Sequence, residues 1–275
     1  MKKLAIVCAM ALLAGPLFAA CSNQEKAEAP LPPEEVTAPL LPDEQSPAGK
    51  AEESELPCVE APAKKEYLKI TTDNLNVRAG AGTSYACLGK VERNILMQYA
   101  GKVGDFFETR YMGKTAYIHS AYAQIVSLQA ADEAVERVIA EGLKVLGTPY
   151  VYGATRFHDG KGTLIKGFTD KKFDCSSLMQ YIFFQGAGVL LDTTTRTQIL
   201  QGKAVTELQR GDLMFFTNAT RKNNTGIERV GHVALYLGDN YILHTASDYA
   251  KIEQISQTRW GYFLEARRVL YGAEN

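Results

Sequence analysis

The sequence predicts a small all-β barrel followed by an α+β domain. Residues 67–127 contain only short apolar runs separated by glycine turns, a pattern typical of a small β structure. Residues 131–275 instead begin with two helical segments and continue with short strand-like runs, an order that predicts an α+β domain. The chain has 275 residues, which is long enough for both regions to bury a core.

The predicted barrel begins with Leu75-Asn76-Val77-Arg78, in which apolar and polar residues alternate as they do in a half-buried strand. Gly101, Gly104 and Gly113 then mark turns between further strand-like runs, because glycine accepts the backbone angles that tight turns require. The predicted strands are residues 75–78, 87–91, 95–99, 106–111 and 114–118.

The α+β domain begins with a predicted helix over residues 131–146, whose apolar residues recur at the spacing of one buried face. A second helix is predicted over residues 174–185. Asp174 suits its N-cap position, because a carboxylate can accept hydrogen bonds from the free backbone amides of a first helical turn. The strands predicted to follow are residues 213–216, 232–237, 241–244 and 265–270.

The amino terminus has the pattern of a signal peptide over residues 1–20, with Lys2 and Lys3 before an apolar run that ends at Phe18. The run leads into Phe18-Ala19-Ala20-Cys21, which resembles a bacterial lipoprotein cleavage box except that Phe18 stands where leucine is usual. This resemblance implies that Cys21 is lipidated and becomes the first residue of the mature protein. Ordinary secretion with cleavage near Ala20 is the alternative.

Residues 21–66 are predicted to form a disordered acidic tether. Residues 22–66 hold eleven acidic side chains against four lysines, and eight of the ten prolines. Residues 67–275 carry a surplus of four positive charges, which is too small to indicate a nucleic-acid partner. With Cys21 lipidated, the sequence predicts a protein anchored in the cell envelope and facing the periplasm. Ser22 favours the outer membrane if the cell has two membranes.

Five cysteines are present. Two of them, Cys58 and Cys87, have no role in the export signal or in the chemistry considered next. They could form a disulfide in an oxidising compartment or remain free thiols. The sequence contains no Cys-x-x-Cys pair and no His-Glu-x-x-His motif, so no structural or catalytic metal is predicted. No other cofactor is predicted either.

The candidate chemistry lies in Phe173-Asp174-Cys175-Ser176-Ser177, with His232 and His244 on later predicted strands. A thiol at a helix N-terminus gains support for its thiolate form, and a nearby imidazole can take its proton and later return it. The tight turn Gly238-Asp239-Asn240 would place both histidines on adjacent strands and on one face of a sheet. Taken singly, these residues are more often a core cysteine and surface histidines, but together they predict a thiol hydrolase.

The motifs resemble two known families. Leu75-Asn76-Val77-Arg78-Ala79-Gly80 and residues 113–119 resemble a bacterial SH3 domain. Residues 133–271 resemble the NlpC family of cell-wall cysteine peptidases, which share the papain-like fold. The matching elements stand in the family's order and comprise residues 147–153, 173–177, 211–213, 231–238, 242–244 and 266–269.

This resemblance implies a role for each matching residue. Cys175 is implied as the nucleophile, His232 as the base, and His244 as the residue that orients the imidazole of His232. The hydroxyl of Tyr150 is implied to help the Cys175 amide hold the oxyanion. Asp174 and Ser176 match positions that contact the free amino end of a substrate. The candidate substrate-binding residues are Asp174, Ser176, Thr194 and Thr195.

The resemblance therefore implies a cysteine endopeptidase. The lipoprotein box at Cys21 predicts that it is lipid-anchored, and a monomer is the simplest expectation. Its expected substrate is the peptide stem of peptidoglycan, and its expected bond joins D-glutamate through its γ-carboxyl to a diamino acid. Two alternatives remain: a catalytically silent wall-binding lipoprotein, and a thiol acyltransferase acting on a substrate outside the wall. Two segments, residues 156–172 and 218–229, are longer than the corresponding segments of the family. They are predicted to flank the substrate groove.

Overall fold

The structure, a computed structural model, describes residues 63–270. The predicted signal peptide, the lipidation site Cys21, nearly all of the tether and Cys58 lie outside the described residues. Within residues 63–270, no helix is both long enough and apolar enough to cross a membrane. The described residues form an all-β region followed by a region of helices and strands, which confirms the predicted fold class.

In the first region the strands are β1 (Lys64–Ile70), β2 (Leu75–Arg78), β3 (Cys87–Val91), β4 (Leu96–Gln98), β5 (Gly101–Val103), β6 (Phe106–Tyr111), β7 (Lys114–His119) and β8 (Ala123–Gln129). A 3₁₀ turn, Ser120–Tyr122, joins β7 to β8. In the second region the helices are α1 (Glu133–Lys144), α2 (Cys175–Ala187), α3 (Thr195–Gln198) and α4 (Gln257–Trp260). Its strands are β9 (Lys203–Val205), β10 (Leu213–Phe216), β11 (His232–Gly238), β12 (Tyr241–Thr245), β13 (Ala250–Gln254) and β14 (Phe263–Arg268).

The first region contains a five-stranded antiparallel sheet in the order β3-β2-β7-β6-β5. Strands β2, β3 and β6 have the predicted bounds. Strand β1 was not predicted, and it begins at Lys64, inside the segment predicted as tether. Lys64, Lys65 and Glu66 keep their side chains exposed while their backbones pair with Gln129, Leu128 and Ser127 of β8. A charged composition therefore did not prevent strand pairing.

A nine-stranded antiparallel sheet joins the two regions, in the order β8-β1-β4-β13-β12-β11-β10-β14-β9. The junction is the pairing of Leu96 in β4 with Ile252 in β13. Two backbone hydrogen bonds reinforce it nearby, because Met112 N–H donates to Leu146 O over 2.7 Å and Gly113 N–H donates to Lys144 O over 2.8 Å. The all-β region is thus hydrogen-bonded directly to the region that holds the candidate nucleophile.

A buried ion pair also links the two regions. The side chain of Arg210 is 5% exposed and donates to Glu136 in α1 over 2.6 Å. It also donates to the Tyr67 hydroxyl in β1 over 2.6 Å and to Leu237 O in β11 over 2.7 Å. Because every acceptor belongs to a different element, the guanidinium links four parts of the fold. Removing one partner of such a buried pair would leave a charge without compensation.

Helices α1 and α2 pack against each other on one face of the nine-stranded sheet. Their close approach requires Gly186, because a Cβ at that position would lie 2.5 Å from Cα of Val138. Helix α2 is anchored in the core by four apolar side chains with no exposed surface, which are Leu178, Met179, Ile182 and Phe183. Its first residue, Cys175, is therefore held in place by the packing of the whole helix.

Strands β11 and β12 form a hairpin around Asp239 and Asn240. These two residues have φ angles of 46° and 64°, and Gly238 pairs with Tyr241 across the turn. Positive φ at both central residues is the geometry of a two-residue turn whose twist matches the flanking strands. The hairpin predicted from Gly238-Asp239-Asn240 is confirmed, and it brings His232 and His244 onto neighbouring strands.

Candidate active site

Cys175 is the first residue of α2, and the preceding turn is fixed by a reciprocal cap. The Asp174 carboxylate accepts a hydrogen bond from Ser177 N–H over 2.9 Å, while the Ser177 hydroxyl accepts one from Asp174 N–H over 2.9 Å. The predicted N-cap role of Asp174 is confirmed. Such a cap satisfies backbone donors that the first helical turn cannot pair internally, so it holds the backbone around the thiol.

The Cys175 thiol is buried and protonated at neutral pH. Burial, together with the negative charge of Asp174, raises the pKa of the thiol to about 11. The backbone amides of Val233 and Ser176 and the Arg156 guanidinium act in the opposite direction on the same pKa. Because the Val233 backbone amide affects the pKa of the thiol, the thiol lies close to Val233 in β11, the residue that follows His232.

Three side chains on β11, β12 and β13 form a hydrogen-bonded chain. Nε2 of His232 lies 2.9 Å from Nδ1 of His244, and Nε2 of His244 lies 2.9 Å from Oε1 of Glu253. Arg259 donates to the same Glu253 oxygen over 2.9 Å, and the ammonium of Lys251 lies 3.4 Å from the other oxygen. The chain therefore runs from a buried imidazole to a carboxylate held by two cations.

The charge state of Glu253 fixes the tautomers along this chain. Burial alone would raise the pKa of Glu253, but the hydrogen bond from His244 and the charges of Lys251 and Arg259 lower it to about 2. An ionised carboxylate can only accept, so Nε2 of His244 carries the proton and Nδ1 of His244 is an acceptor. Nε2 of His232 must then donate, which leaves Nδ1 of His232 unprotonated and able to act as a base.

Both histidines are neutral at neutral pH. Burial lowers the pKa of His232 well below its ordinary value of 6.5, and His244 and Arg259 contribute in the same direction. Burial also lowers the pKa of His244, although the Glu253 carboxylate opposes this. His244 has no exposed surface and His232 is 9% exposed. The resting site thus contains a neutral thiol and neutral imidazoles, and an ion pair would form only by proton transfer.

Glu253 was not predicted, because β13 was not predicted as a strand. The signal was nevertheless present in Ala250-Lys251-Ile252-Glu253, in which apolar and charged residues alternate. Ala250 and Ile252 have no exposed surface, and the alternate residues of β13 lie on the opposite face of the sheet. In the register of β12 and β13, Lys251 is the partner of His244 and Glu253 is the partner of Ile242. That register places Glu253 diagonally across from His244.

A cleft of about 420 Å³ opens beside the thiol. Tyr150 lines it, and the pKa of Tyr150 is raised first by burial and then by Cys175 and Asp174, which places its hydroxyl in the field of the thiol. Both segments longer than the family pattern contribute to the wall, as the sequence predicted. The predicted site residues in the cleft are Tyr150, Asp174, Cys175, Ser176, Thr194 and Thr195, and the two segments supply Arg156, Asn218, Thr220 and Arg221.

The predicted substrate contacts at Asp174 and Ser176 are occupied by the protein itself. One oxygen of Asp174 accepts from Ser177 N–H and from the Ser176 hydroxyl, the latter over 3.1 Å. The other oxygen accepts from Gly153 N–H over 3.2 Å and from Arg156 over 2.7 Å. The substrate-binding role of these two residues stays a prediction.

Two threonines complete this part of the wall. The Thr194 hydroxyl caps α3 by accepting a hydrogen bond from Thr197 N–H over 3.3 Å, and Thr195 is buried. Their predicted contact with substrate stays a prediction. His158 in the first of the two long segments has no exposed surface and lies against the rings of Phe157 and Phe184.

The remaining sequence predictions concern Cys58, Cys87 and metal binding, away from the thiol. Cys87 is exposed and its Sγ donates to Gly89 O over 3.1 Å. Because Cys58 lies outside the described residues, the disulfide stays a prediction. In the part of the chain that the structure describes, no group of three or more His, Cys, Asp and Glu side chains is placed to hold a metal ion.

Comparison with known proteins defines both regions. Residues 147–268 match the model of the NlpC/P60 family, a family of cysteine peptidases, and residues 73–124 match the model of the bacterial SH3 domain. The residues matched to the NlpC/P60 model include the buried Cys175 and both members of the hydrogen-bonded histidine pair, His232 and His244. The chain carries an NlpC/P60 domain preceded by a bacterial SH3 domain, and both predicted resemblances are confirmed.

Individual relatives align with less than the whole chain. The peptidoglycan endopeptidase RipA of Mycolicibacterium smegmatis is 34% identical over 114 residues, which cover 40% of this chain and 21% of RipA. A gamma-D-glutamyl-L-lysine dipeptidyl-peptidase of Bacillus cereus is 32% identical over 142 residues, or 50% of this chain and 37% of that relative. The chain therefore spans well under half the length of either relative.

Among solved structures, an NlpC/P60 family protein from Bacillus cereus aligns with this chain. The alignment covers 75% of this chain and 64% of the Bacillus cereus chain, with a sequence identity of 21% and a TM-score of 0.40.

Proposed function

We propose that the chain is an exported, membrane-anchored cysteine endopeptidase that hydrolyses the peptide stems of peptidoglycan. The observation that carries this proposal is the hydrogen-bonded pair of His232 and His244, joined at 2.9 Å. His232 precedes Val233, whose backbone amide lowers the pKa of the Cys175 thiol. Two relatives, a peptidoglycan endopeptidase and a γ-D-glutamyl-L-lysine dipeptidyl-peptidase, support a γ-D-glutamyl–diamino acid bond as the bond cleaved.

The first half of the proposed reaction forms an acyl-enzyme. Nδ1 of His232 takes the proton of Cys175, and the thiolate attacks the carbonyl carbon of the scissile bond. The backbone N–H of Cys175 and the hydroxyl of Tyr150 donate hydrogen bonds to the oxyanion that forms. When the C–N bond breaks, the imidazolium of His232 gives its proton to the leaving amine, and a thioester remains on Cys175.

The second half releases the acyl group. Nδ1 of His232 takes a proton from a water molecule, and the hydroxide adds to the thioester carbonyl. Collapse of this intermediate breaks the C–S bond and returns the proton to Cys175. Throughout, His244 holds the imidazole of His232 in one orientation, and Glu253 holds His244 in the tautomer that accepts from Nε2 of His232.

Anchoring and location belong to the same proposal. The apolar run ending at Phe18 and the box around Cys21 support a lipid anchor, and the acidic segment 21–66 supports a tether between membrane and wall. The proposed partners are peptidoglycan stem peptides and the membrane lipid layer. The proposed location is the cell envelope on the periplasmic side, with the protein acting as a monomer and without nucleic acid.

Digestion of purified muropeptides tests the proposed activity. Fragments analysed by mass spectrometry should appear with the wild-type protein and should be absent with Cys175→Ser, and their masses should place the cut after D-glutamate. A folded wild-type protein that gives no fragments would instead favour a wall-binding lipoprotein. If an added amine acceptor captures the acyl group more efficiently than water does, the acyltransferase alternative is favoured.

Replacing Glu253 tests the tautomer chain. Glu253→Gln is expected to lower kcat/KM by about 10²-fold, because a neutral amide no longer fixes the proton on Nε2 of His244. Loss of the carboxylate also removes a charge that raises the pKa of His232, so the acid limb of the kcat/KM profile should move to lower pH. Glu133→Gln, at an exposed position of α1, is the matched control and should change neither quantity. An unchanged acid limb in Glu253→Gln would contradict the assignment.

The wild-type pH profile gives a second readout. Because burial holds the pKa of His232 below 6.5, kcat/KM is expected to remain on its plateau at pH 6.5 and to fall only at lower pH. Stability should follow a related course. Below pH 6.5 the unfolded chain binds protons at these histidines before the folded chain does, so the free energy of unfolding should decrease as the pH falls. An apparent kinetic pKa at or above 6.5 would contradict the neutral, buried base.

A further inference from the structure

Arg156 occupies the end of the cleft next to the nucleophile. Its Nη1 donates to Oδ2 of Asp174 over 2.7 Å and to Ala154 O over 2.6 Å. Its Nη2 donates to the Ser176 hydroxyl over 3.1 Å, and its Nε donates to Thr193 O over 2.5 Å. Four of the five guanidinium N–H groups are thereby used, which leaves one on Nη2 for a ligand in the cleft.

The arginine is held in this position by the residue that follows it. Phe157 N–H donates to Oε1 of Gln180 in α2 over 3.1 Å. The Phe157 ring packs in edge-on contact with Phe168 and Tyr181, with ring centroids 4.9 Å and 5.6 Å away. Because this segment is pinned to α2, the guanidinium is a fixed part of the wall. Its side chain is 19% exposed.

The charged groups of the cleft disfavour the binding of a cation. Among the described residues that line it, Asp174 is the single carboxylate, and its side chain is 6% exposed with both oxygens already accepting two hydrogen bonds. Three arginines line the same cleft, which are Arg156, Arg196 and Arg221. Arg196 and Arg221 lie 3.3 Å and 3.2 Å from the two carboxylate oxygens of Glu228, so that carboxylate is also paired. A substrate ammonium near the thiol would meet no free anionic acceptor and would be repelled by the nearest guanidinium.

We propose that Arg156 is a specificity-determining residue that excludes a free ammonium group from this end of the cleft and selects peptides whose amino end is acylated. An acyl amide carries no charge, and its carbonyl oxygen can accept the remaining Nη2 hydrogen of Arg156. In chemical terms, the enzyme would act on stems that are still joined through an amide to the glycan and would act poorly on released peptides with a free amino end. This inference rests on the proposed function.

A pair of tripeptides separates the two substrate classes. Both contain L-alanine, γ-linked D-glutamate and a diamino acid, and one is acetylated on the amino group of alanine. With the wild-type protein, kcat/KM is expected to be at least about tenfold higher for the acetylated peptide, a difference that one ionic contact can supply. With Arg156→Gln, which frees the Asp174 carboxylate, the ratio should fall towards one or reverse.

Two further variants serve as controls. Arg196→Gln removes a cleft arginine that does not contact Asp174, so it should change kcat/KM for both peptides alike and preserve their ratio. Arg156→Lys retains a cation and should preserve the direction of the preference. The ratio of kcat/KM for the two peptides in the wild-type protein is measured independently of the variants. For each variant, a thermal unfolding measurement shows whether the protein is folded and its ratio can be interpreted.

The outcomes distinguish this inference from the proposed function. Equal or faster cleavage of the free-amine peptide by the wild-type protein overturns the role of Arg156, as does an unchanged ratio in a folded Arg156→Gln variant. If the wild-type protein cleaves muropeptides but neither tripeptide, the role of Arg156 is overturned and the proposed function stands. If it cleaves neither muropeptides nor tripeptides, both are overturned.

Discussion

Replacing Cys175 with alanine is expected to lower kcat/KM for muropeptide hydrolysis by at least about 10⁴-fold. The side chain is buried at the first turn of α2, and its sulfur carries the acyl group in the proposed mechanism, so no neighbouring group is expected to substitute for it. Alanine removes only the sulfur atom from a packed site, and the thermal unfolding temperature should therefore change little. The measurement is initial rate of product formation by chromatography at several substrate concentrations.

The matched control for this variant is Cys87→Ala. Cys87 is exposed in β3 and belongs to the SH3-like region, so its loss should leave kcat/KM within a factor of about two. Labelling with a thiol reagent should also distinguish the two cysteines. Inactivation of the wild-type protein should coincide with labelling of Cys175 and not with labelling of Cys87. Activity that survives Cys175→Ala, or that disappears in Cys87→Ala, would remove the thiol mechanism.

Replacing His232 with glutamine is expected to lower kcat/KM by about 10³-fold or more, since the variant loses the base for the thiol and the acid for the leaving amine. The pKa of Cys175 is about 11, so the thiol would remain protonated at neutral pH without a base. The residual activity of the variant should consequently rise with pH as the thiolate becomes populated. The measurement is a kcat/KM profile across neutral and alkaline pH.

His119→Asn is the control for the histidine substitution. The Nδ1 atom of His119 accepts a hydrogen bond from Ala121 N–H at the start of a 3₁₀ turn in the SH3-like region, and asparagine can provide a similar acceptor. Its profile should follow that of the wild-type protein. A His232→Gln variant that keeps wild-type kcat/KM, or whose residual activity does not respond to alkaline pH, would exclude His232 as the base.

The parts of the site that could be predicted from sequence depend on local chemistry. Asp174 identifies the start of α2 because a capping carboxylate acts on amides within one turn of it. The two-residue turn at Asp239 and Asn240 fixes the relation of β11 to β12, and hence of His232 to His244. In both cases, the residues that determine the geometry lie within seven positions of those expected to carry the chemistry.

The parts that could not be predicted depend on contacts between distant segments. Arg156 reaches Asp174 across 18 positions of the sequence, and nothing in its own neighbourhood indicates that partner. Glu253 contributes only because β13 pairs with β12 in one register, and a shift of one residue would turn its side chain to the opposite face. Strands β1 and β8 likewise gain their stability from pairing with each other over seven residues rather than from their composition.

The pairing of β4 with β13 has a consequence for how this protein can be dissected. β13 carries Glu253, and its outer edge is covered by a strand of the SH3-like region. If the NlpC/P60 domain were expressed alone, that strand edge would be exposed and could pair with other chains. Glu253, the last residue of the hydrogen-bonded chain, would then lie on an unpaired edge strand. The SH3-like region therefore supports the NlpC/P60 domain through backbone pairing, and exchanging it for an SH3 domain of another protein would remove that support.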